Sequence, residues 1–218
     1  SVLQGGMVVG TYCKHDLPNY DVFDERRYFT PDNRPFVFEI KGTQFGINIC
    51  EDSWFHYAPE CSRAAGAQVL IVPNASPFHL GKQAQRLETM RSNVSHFGLA
   101  LVYANMVGGQ DELVFDGASF VLGVDGSVVA SAPHFEETVL VVDIVDGVPQ
   151  PGPRAAERSL EALAYDALVL GVRDYLGKNG FPGAILGMSG GIDSALVLAI
   201  AVDALGPEKV RAVMMPSP

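Results

Sequence analysis

Two short stretches of this 218-residue chain combine residue types that do chemistry. The first is "GINICEDSWF", in which Cys50 ends an apolar run and precedes acidic and aromatic residues. A cysteine at a strand end sits on a sharp turn, with the next backbone N–H available as an oxyanion donor. Its thiol needs a cation or a base to ionise near neutral pH. The second is "SGGIDS", Ser189 to Ser194. Gly190 and Gly191 let the backbone approach an anion with no Cβ in the way. Ser189 and Ser194 add hydroxyl donors, and a helix starting here offers free N–H groups and the positive end of its dipole. A Walker A loop needs a lysine that is absent. The spacing of Gly187, Gly190 and Gly191 does not fit the Rossmann fingerprint. Plainer readings stand beside these: a buried structural cysteine, a solvated Lys14, turns at Glu51-Asp52 and at Ser76, a core Trp54 and a Ser/Asp helix cap. His56 and His79 offer a Cys–His arrangement, with no positioning partner evident. Cys13 and Cys61 read as structural.

The elements that must position these residues follow from the pattern. "FVFEIKGTQFGINIC" reads as a hairpin turning at Gly42, which delivers Cys50 at a strand end. "QVLIVPN" and "LALVYANMV" are buried strands, and "MVVGTYC" alternates loosely. Between the two buried strands, Ala84, Leu87, Met90, Val94 and Phe97 fall at helical spacing, closed by Gly98. "ASFVLGVDGSVVASA" is a hairpin turning at Asp125-Gly126, and "ETVLVVDIV" closes the strand series. The Pro/Gly-rich run from Asp146 to Arg158 is the best domain-boundary candidate. Beyond it a helix is expected with Leu160, Leu163, Ala164, Ala167, Leu168, Val172, Tyr175 and Leu176 on one face, stopping at Lys178-Asn179-Gly180. Then "AILGM", the Gly-rich turn, an Ile192–Leu205 helix apolar on nearly every face, and "KVRAVMMP" complete a βαβ unit. That helix should be buried between the sheet and another layer.

Composition bounds the class. The net charge is −10 and 48% of residues are hydrophobic. An acidic globular chain is a poor sequence-independent binder of nucleic acid. No apolar run approaches the ~20 residues of a membrane span, and the first residues lack a signal-peptide pattern. Three cysteines without a CxxC pair point to a reducing compartment, so a cytoplasmic location is expected. Zinc is not expected, because the His and Cys residues show no ligand spacing.

Three longer motifs change the weight of these readings. Tyr12-x-Lys14-x-x-Leu17-Pro18-Asn19-Tyr20 followed by Phe23-Asp24-Glu25, then "GINICEDSW", then "NASPFHLGK" closely resemble the carbon–nitrogen hydrolase (nitrilase) superfamily. Within it they are most similar to the glutaminase branch fused to NAD synthetase. The resemblance implies a Glu–Lys–Cys triad with Cys50 as nucleophile and Lys14 stabilising the tetrahedral oxyanion. No segment here matches the glutamate base. It implies that Tyr20, Ser76 and Lys82 hold glutamine, that Trp54 lines the pocket, and that Glu25 is a second acidic residue near the site. "SGGIDS" after a strand resembles the PP-loop ATP pyrophosphatases. By that resemblance Gly187, Met188, Ser189, Gly190, Gly191, Ile192, Asp193 and Ser194 bind ATP, and Asp193 coordinates Mg²⁺.

The expected fold is α/β: a nitrilase-type αββα sandwich over residues 1–146, a linker over 147–158, and the start of a doubly wound Rossmann-like PP-loop domain over 159–218. The implied activity is that of a glutamine-hydrolysing, ATP-dependent carbon–nitrogen ligase of NAD biosynthesis, forming AMP and pyrophosphate. Ammonia released at Cys50 would amidate deamido-NAD⁺ after its adenylation. Glutamine, deamido-NAD⁺ and ATP are the expected small-molecule partners, with no nucleic acid or membrane, and a homo-oligomer is expected. The resemblance also implies a chain incomplete at both ends. The alternatives are a stand-alone nitrilase or amidase with a non-functional tail, or an inactive fragment.

Overall fold

The structure, a computed structural model, describes residues 1–215; the end of the "KVRAVMMP" run lies outside them. At the N-terminus β1 (Val2–Gln4) and β2 (Met7–Gly10) form an antiparallel ribbon. The main body is a six-stranded mixed sheet. β3 (Val37–Ile40) and β4 (Thr43–Ile47) pair antiparallel around Lys41 and Gly42. Both turn residues have positive φ, 48° and 83°, as the type I′ hairpin turn requires. The helix α1 (Tyr57–Ala64) leads into β5 (Val69–Asn74), and α2 (Lys82–Phe97) into β6 (Ala100–Asn105). β4, β5 and β6 run parallel, in register Phe45↔Val69↔Ala100.

A further antiparallel hairpin, β7 (Val107–Gln110) with β8 (Leu113–Asp116), leaves the sheet. It was not foreseen, because "LALVYANMV" reads as one strand. β9 (Phe120–Leu122) and β10 (Val128–Ser131) then complete the sheet order β10-β9-β6-β5-β4-β3.

The parallel strands are near-continuous apolar runs because both their faces are covered. Leu70, Val72, Leu101 and Tyr103 face α2 through Met90 and Val94, forming the main core with Phe120 and Leu122. Val69 and Ala100 face the other way with Phe45, packed by Ile71, Val102 and Ile144. The buried residues of α2 are Arg86, Met90, Asn93 and Val94, while Ala84 is exposed. Leu87, Met90, Val94 and Phe97 of the expected stripe pack in the core, and the buried face also takes in Arg86 and Asn93, so it carries a charge. Gly98 ends α2 in the left-handed conformation, with its N–H on Val94 O at 2.9 Å, as an αL cap does.

Three expectations are corrected. "ETVLVVDIV" is not a strand of the sheet; only Ile144–Val145 (β11) is paired, with Val148–Pro149 (β12). Its apolar alternation is real, because Leu140, Val142 and Ile144 line a hollow against Phe45, Ile71 and Val102 while Val139 and Val141 face solvent. Residues 137–143 are an extended cover without strand pairing, and the run is laddered only at the short β11–β12 pair. Residues 150–155 run along β10, with Ser131 N–H on Pro153 O at 2.9 Å and Gly152 N–H on Val129 O at 3.0 Å.

The other two corrections concern the C-terminal helices. α3 (Leu160–Lys178), capped by the Ser159 hydroxyl, is followed by β13 (Ala184–Met188), α4 (Ile192–Leu205) and β14 (Val210–Met214), with β13 and β14 parallel. On α3 the buried residues are Ala167, Val169 and Leu170, whereas Leu160, Leu168 and Tyr175 are exposed. The helix packs against α4 on one side and β7–β8 on another, so no single stripe describes it. α4 buries only Ile200, Ala201 and Ala204; Ile192, Leu196 and Val197 are exposed, because two strands and one helix cover less than its whole surface.

α3 also clasps β7. Asp174 accepts the Gly109 N–H at 2.7 Å, Lys178 donates to Gly109 O at 2.6 Å, and the two side chains pair at 2.9 Å. A Cβ on Gly109 would lie 3.1 Å from Asp174 Cβ, so a glycine suits this close approach. Among the described residues no helix is long and apolar enough to cross a membrane.

Candidate active site

Cys50 follows β4 and opens a 3₁₀ turn, Cys50–Trp54, with φ of 47°. A non-glycine residue held there costs on the order of 1–3 kcal/mol and persists when its surroundings over-determine it. They do so here. Asp52 is wholly buried and accepts from Ile49 N–H at 2.8 Å. Ser53 donates to Cys50 O at 2.8 Å, and Asn93 of α2 donates to Ser53 O at 2.6 Å. Burial pushes the Cys50 thiol above its ordinary range; the Lys14 ammonium and the Ala75 N–H pull it down, and Glu51 and Glu25 oppose them.

Lys14 lies on a stretch without regular secondary structure and is bound through both oxygens of Glu25, at 2.7 and 2.8 Å. Glu25 begins its own 3₁₀ turn, Glu25–Arg27. The pair lines a hollow of about 450 Å³ with Tyr12, Cys13 and Ile49. Cys13, expected to be structural, is exposed.

On the other side of Cys50 is a hollow of about 500 Å³ lined by Tyr20, Glu51, Trp54, Ser76 and Lys82, with Leu113 of β8. Lys82 Nζ stands 4.2 Å from the centre of the Trp54 ring, a cation–π geometry. Its pKa is lowered, first by burial and then by Arg86. Tyr20 donates to Glu51 at 2.6 Å. Ser76 is buried; its N–H bonds Asn105 at 3.0 Å and its hydroxyl accepts from Arg86 Nε at 3.2 Å. Arg86 is itself wholly buried and paired with Asp116 at 2.8 Å. His134 approaches the same carboxylate at 3.2 Å. Burial pushes Asp116 upward, but the His134 bond and the Arg86 charge outweigh it and hold the carboxyl below its usual range.

All five residues singled out for glutamine or the nucleophile on this side of the elbow share one hollow. Lys14 and Glu25 do not line it; they line the other hollow, with Ile49. Reasoning from sequence missed Arg86, Asp52 and Glu51. Arg86 had a signal: with Met90, Asn93 and Val94 it follows i, i+4, i+7, i+8, a charge on an apolar stripe. Asp52 had none, because its partners lie up to 40 residues away. His56 stacks on His96 and His79 sits at the mouth of the hollow; among the described residues neither ring is hydrogen-bonded to Cys50.

The second turn is built differently. Gly190 has φ of 88°, with nothing within 4 Å of where a Cβ would stand. It is glycine for conformation, not for crowding. Ser194 donates to Gly191 O at 2.9 Å, and Ser189 and Ser194 hydroxyls lie 3.3 Å apart. Gly187 and Met188 end β13, and Ser189 through Asp193 are exposed, with Ile192 and Asp193 in the first turn of α4. Among the described residues no three His, Cys, Asp or Glu side chains cluster as metal ligands.

A thiol elbow on a mixed sheet, backed by a lysine–carboxylate pair, defines a nitrilase-like hydrolase scaffold. The chain belongs to the carbon–nitrogen hydrolase family, whose model matches residues 2–149, and the NAD synthase model matches residues 164–218. It is 51% identical, over its whole length, to a glutamine-dependent NAD(+) synthetase of Xanthomonas campestris, of which it covers 40%. It superposes with a TM-score of 0.94 on a glutamine-dependent NAD⁺ synthetase of Acinetobacter baumannii solved with ADP, at 44% identity over 98% of this chain and 41% of that one. A variant of the amidase from Nesterenkonia sp. AN1, with acrylamide added at its active-site cysteine, matches at a TM-score of 0.53 and 29% identity over 59% of this chain and 49% of that one. The chain thus spans about 40% of the length of the synthetases it matches.

Proposed function

We propose that this chain carries the glutamine-hydrolysing site and the opening of the ATP site of a glutamine-dependent NAD⁺ synthetase. The observation that carries the reading is the single hollow joining Cys50 to Tyr20, Trp54, Ser76 and Lys82. It holds both a cation, Lys82, and a carboxylate, Glu51. That charge pattern suits the zwitterionic head of an amino acid. A neutral nitrile or simple amide would engage neither charge, which disfavours the stand-alone amidase reading.

In this reading the Cys50 sulfur attacks the side-chain carboxamide carbon of glutamine. The thiol proton passes to a base and on to the leaving nitrogen. Lys14 and a backbone N–H stabilise the tetrahedral oxyanion. Ammonia leaves, a thioester remains, and water releases glutamate and the thiol. Trp54 and the buried Ser76–Arg86 contact hold the walls. Ammonia must cross to the second site out of bulk water, where it would protonate.

At the second site the backbone of Gly187 through Ser194 and the α4 dipole receive the phosphates of ATP. The ADP complex of the Acinetobacter baumannii relative supports a nucleotide there. Asp193, exposed and the lone carboxylate of the turn, would hold a Mg²⁺ ion through its carboxylate oxygen. The ion would offset phosphate charge in the transition state. ATP would adenylate deamido-NAD⁺, and ammonia would displace AMP. We assign residues 1–146 to the first function, 147–158 to the connection and 159–218 to the second. We also propose a homo-oligomer in the cytoplasm.

The test is Cys50→Ala in the whole protein. Glutamine-driven NAD⁺ formation falls by at least about 10³-fold while ammonia-driven formation persists. Equal loss of both activities would refute the two-site assignment.

A further inference from the structure

We infer that Asp52 is a positioning residue, whose carboxylate fixes Lys14 in place relative to Cys50. The inference rests on the reading of Cys50 as nucleophile and Lys14 as its cation. Asp52 is fully buried, two residues after Cys50 on the same turn. One oxygen accepts the N–H groups of His15 at 2.9 Å and Asp16 at 2.8 Å. The other accepts the Tyr12 hydroxyl at 2.7 Å and the Ile49 N–H at 2.8 Å. Three of these four donors bracket Lys14, and the fourth belongs to the residue before Cys50.

The stretch Tyr12–Asp16 has no strand or helix pairing of its own. The Ile49 bond lies within the turn; the Tyr12, His15 and Asp16 bonds reach beyond it and hold the lysine-bearing stretch. Backbone amides that a ladder would satisfy elsewhere are satisfied here by one side chain. A charged acceptor makes these bonds short and strong. The Lys14 ammonium is committed to Glu25; its carbonyl accepts the Asp32 N–H at 3.3 Å, and the amides of the two residues that follow it are set by Asp52. Tyr20, Trp54, Ser76 and Lys82 make no hydrogen bond with Asp52 among the described residues.

The test is Asp52→Asn in the whole protein. Asparagine keeps the shape but presents an amide nitrogen to two of the donors. Glutaminase kcat is expected to fall about a hundredfold, the cost of a misplacement near 1 Å. KM for glutamine stays near the parent value, because the hollow is untouched. The pH midpoint for iodoacetamide alkylation of Cys50, read by mass spectrometry of its own peptide, rises by about one unit, tenfold in thiolate at a fixed pH. Tyr12→Phe removes one donor without touching the turn; it moves kcat and the midpoint the same way by less, and serves if Asp52→Asn does not fold. A folded Asp52→Asn, or failing that Tyr12→Phe, with parental midpoint and kcat overturns the proposal. So does a change in KM alone. The alkylation midpoint needs no glutamine, so it judges Asp52 even if Cys50→Ala were to retain glutaminase activity and sink the functional reading.

Discussion

The elbow at Cys50 and the turn at Ser189–Ser194 are both strand-to-helix junctions, yet they are held in opposite ways. At Cys50 a strained residue is held from two distant parts of the chain: the Tyr12–Asp16 stretch, through Asp52, and Asn93 of α2. At Ser189–Ser194 every side-chain hydrogen bond is local, within five residues, and the turn is open to solvent. The lesson is about where the organisation comes from. A thiol that must be aimed at one carbon needs a geometry set before substrate arrives. A phosphate cradle works through backbone N–H groups, and its ligand supplies the remaining order.

That contrast can be broken by mutation, beginning where the effect is largest. Arg86→Ala leaves Asp116 buried without its cation and should cost about 3–5 kcal/mol, read by denaturant unfolding. The pH dependence of the loss has a definite sign. The parent carboxyl is held low, so its contribution is full above the ordinary carboxylate pKa and is lost as pH falls through the lower folded value. In the variant burial pushes the carboxyl up with only the His134 bond left to oppose it, so the gap between the two proteins narrows in acid. A gap that widens in acid would contradict the pairing.

Lys14→Met tests the electrostatics of the elbow rather than its stability. Removing an oxyanion-stabilising group should lower glutaminase kcat by about 10²- to 10³-fold. Burial already raises the Cys50 thiol and Lys14 opposes it, so the alkylation midpoint should move further up. A midpoint that falls would mean that the Lys14 ammonium does not stabilise the thiolate.

Asp193→Ala is the smallest structural perturbation and sharpens the comparison from the other side. An exposed side chain without a partner in the turn should change stability by no more than about 0.5 kcal/mol. Mg²⁺-dependent ATP turnover should be lost while glutamine hydrolysis remains. Unchanged turnover would remove Asp193 from the nucleotide site.

The sequence made the local parts of this molecule readable. The Lys41-Gly42 turn, the Gly98 cap, the strand ends and the Gly-rich turn each depend on residues a few positions apart. What escaped was set by tertiary context. α4 reads as buried from its composition, but how much of it is covered depends on how many strands lie beside it. "ETVLVVDIV" has strand periodicity, but a strand also needs a hydrogen-bonding neighbour, and Leu140 and Val142 find an apolar face instead. Asp52 looked like half of an acidic turn because four donors from elsewhere cannot be seen at positions 51 and 52. Arg86 lay in plain view on an apolar stripe, and its charge was the clue.

The grip of α3 on Gly109 bears on how the protein can be divided. The first family match ends at residue 149, inside the proline-rich run, and the second begins at residue 164, which invites cutting between them. Yet the peptide of Gly109, within the first matched region, is closed on both sides by Asp174 and Lys178 of the second. The hairpin it belongs to carries Leu113 to the hollow beside Cys50, and Val114 O receives the Phe78 N–H at 2.7 Å, two residues from Ser76. A cut at the linker would strip one wall of the hairpin and leave that strand edge bare. The seam between the two matched modules is therefore not a seam in the fabric of the hollow beside Cys50.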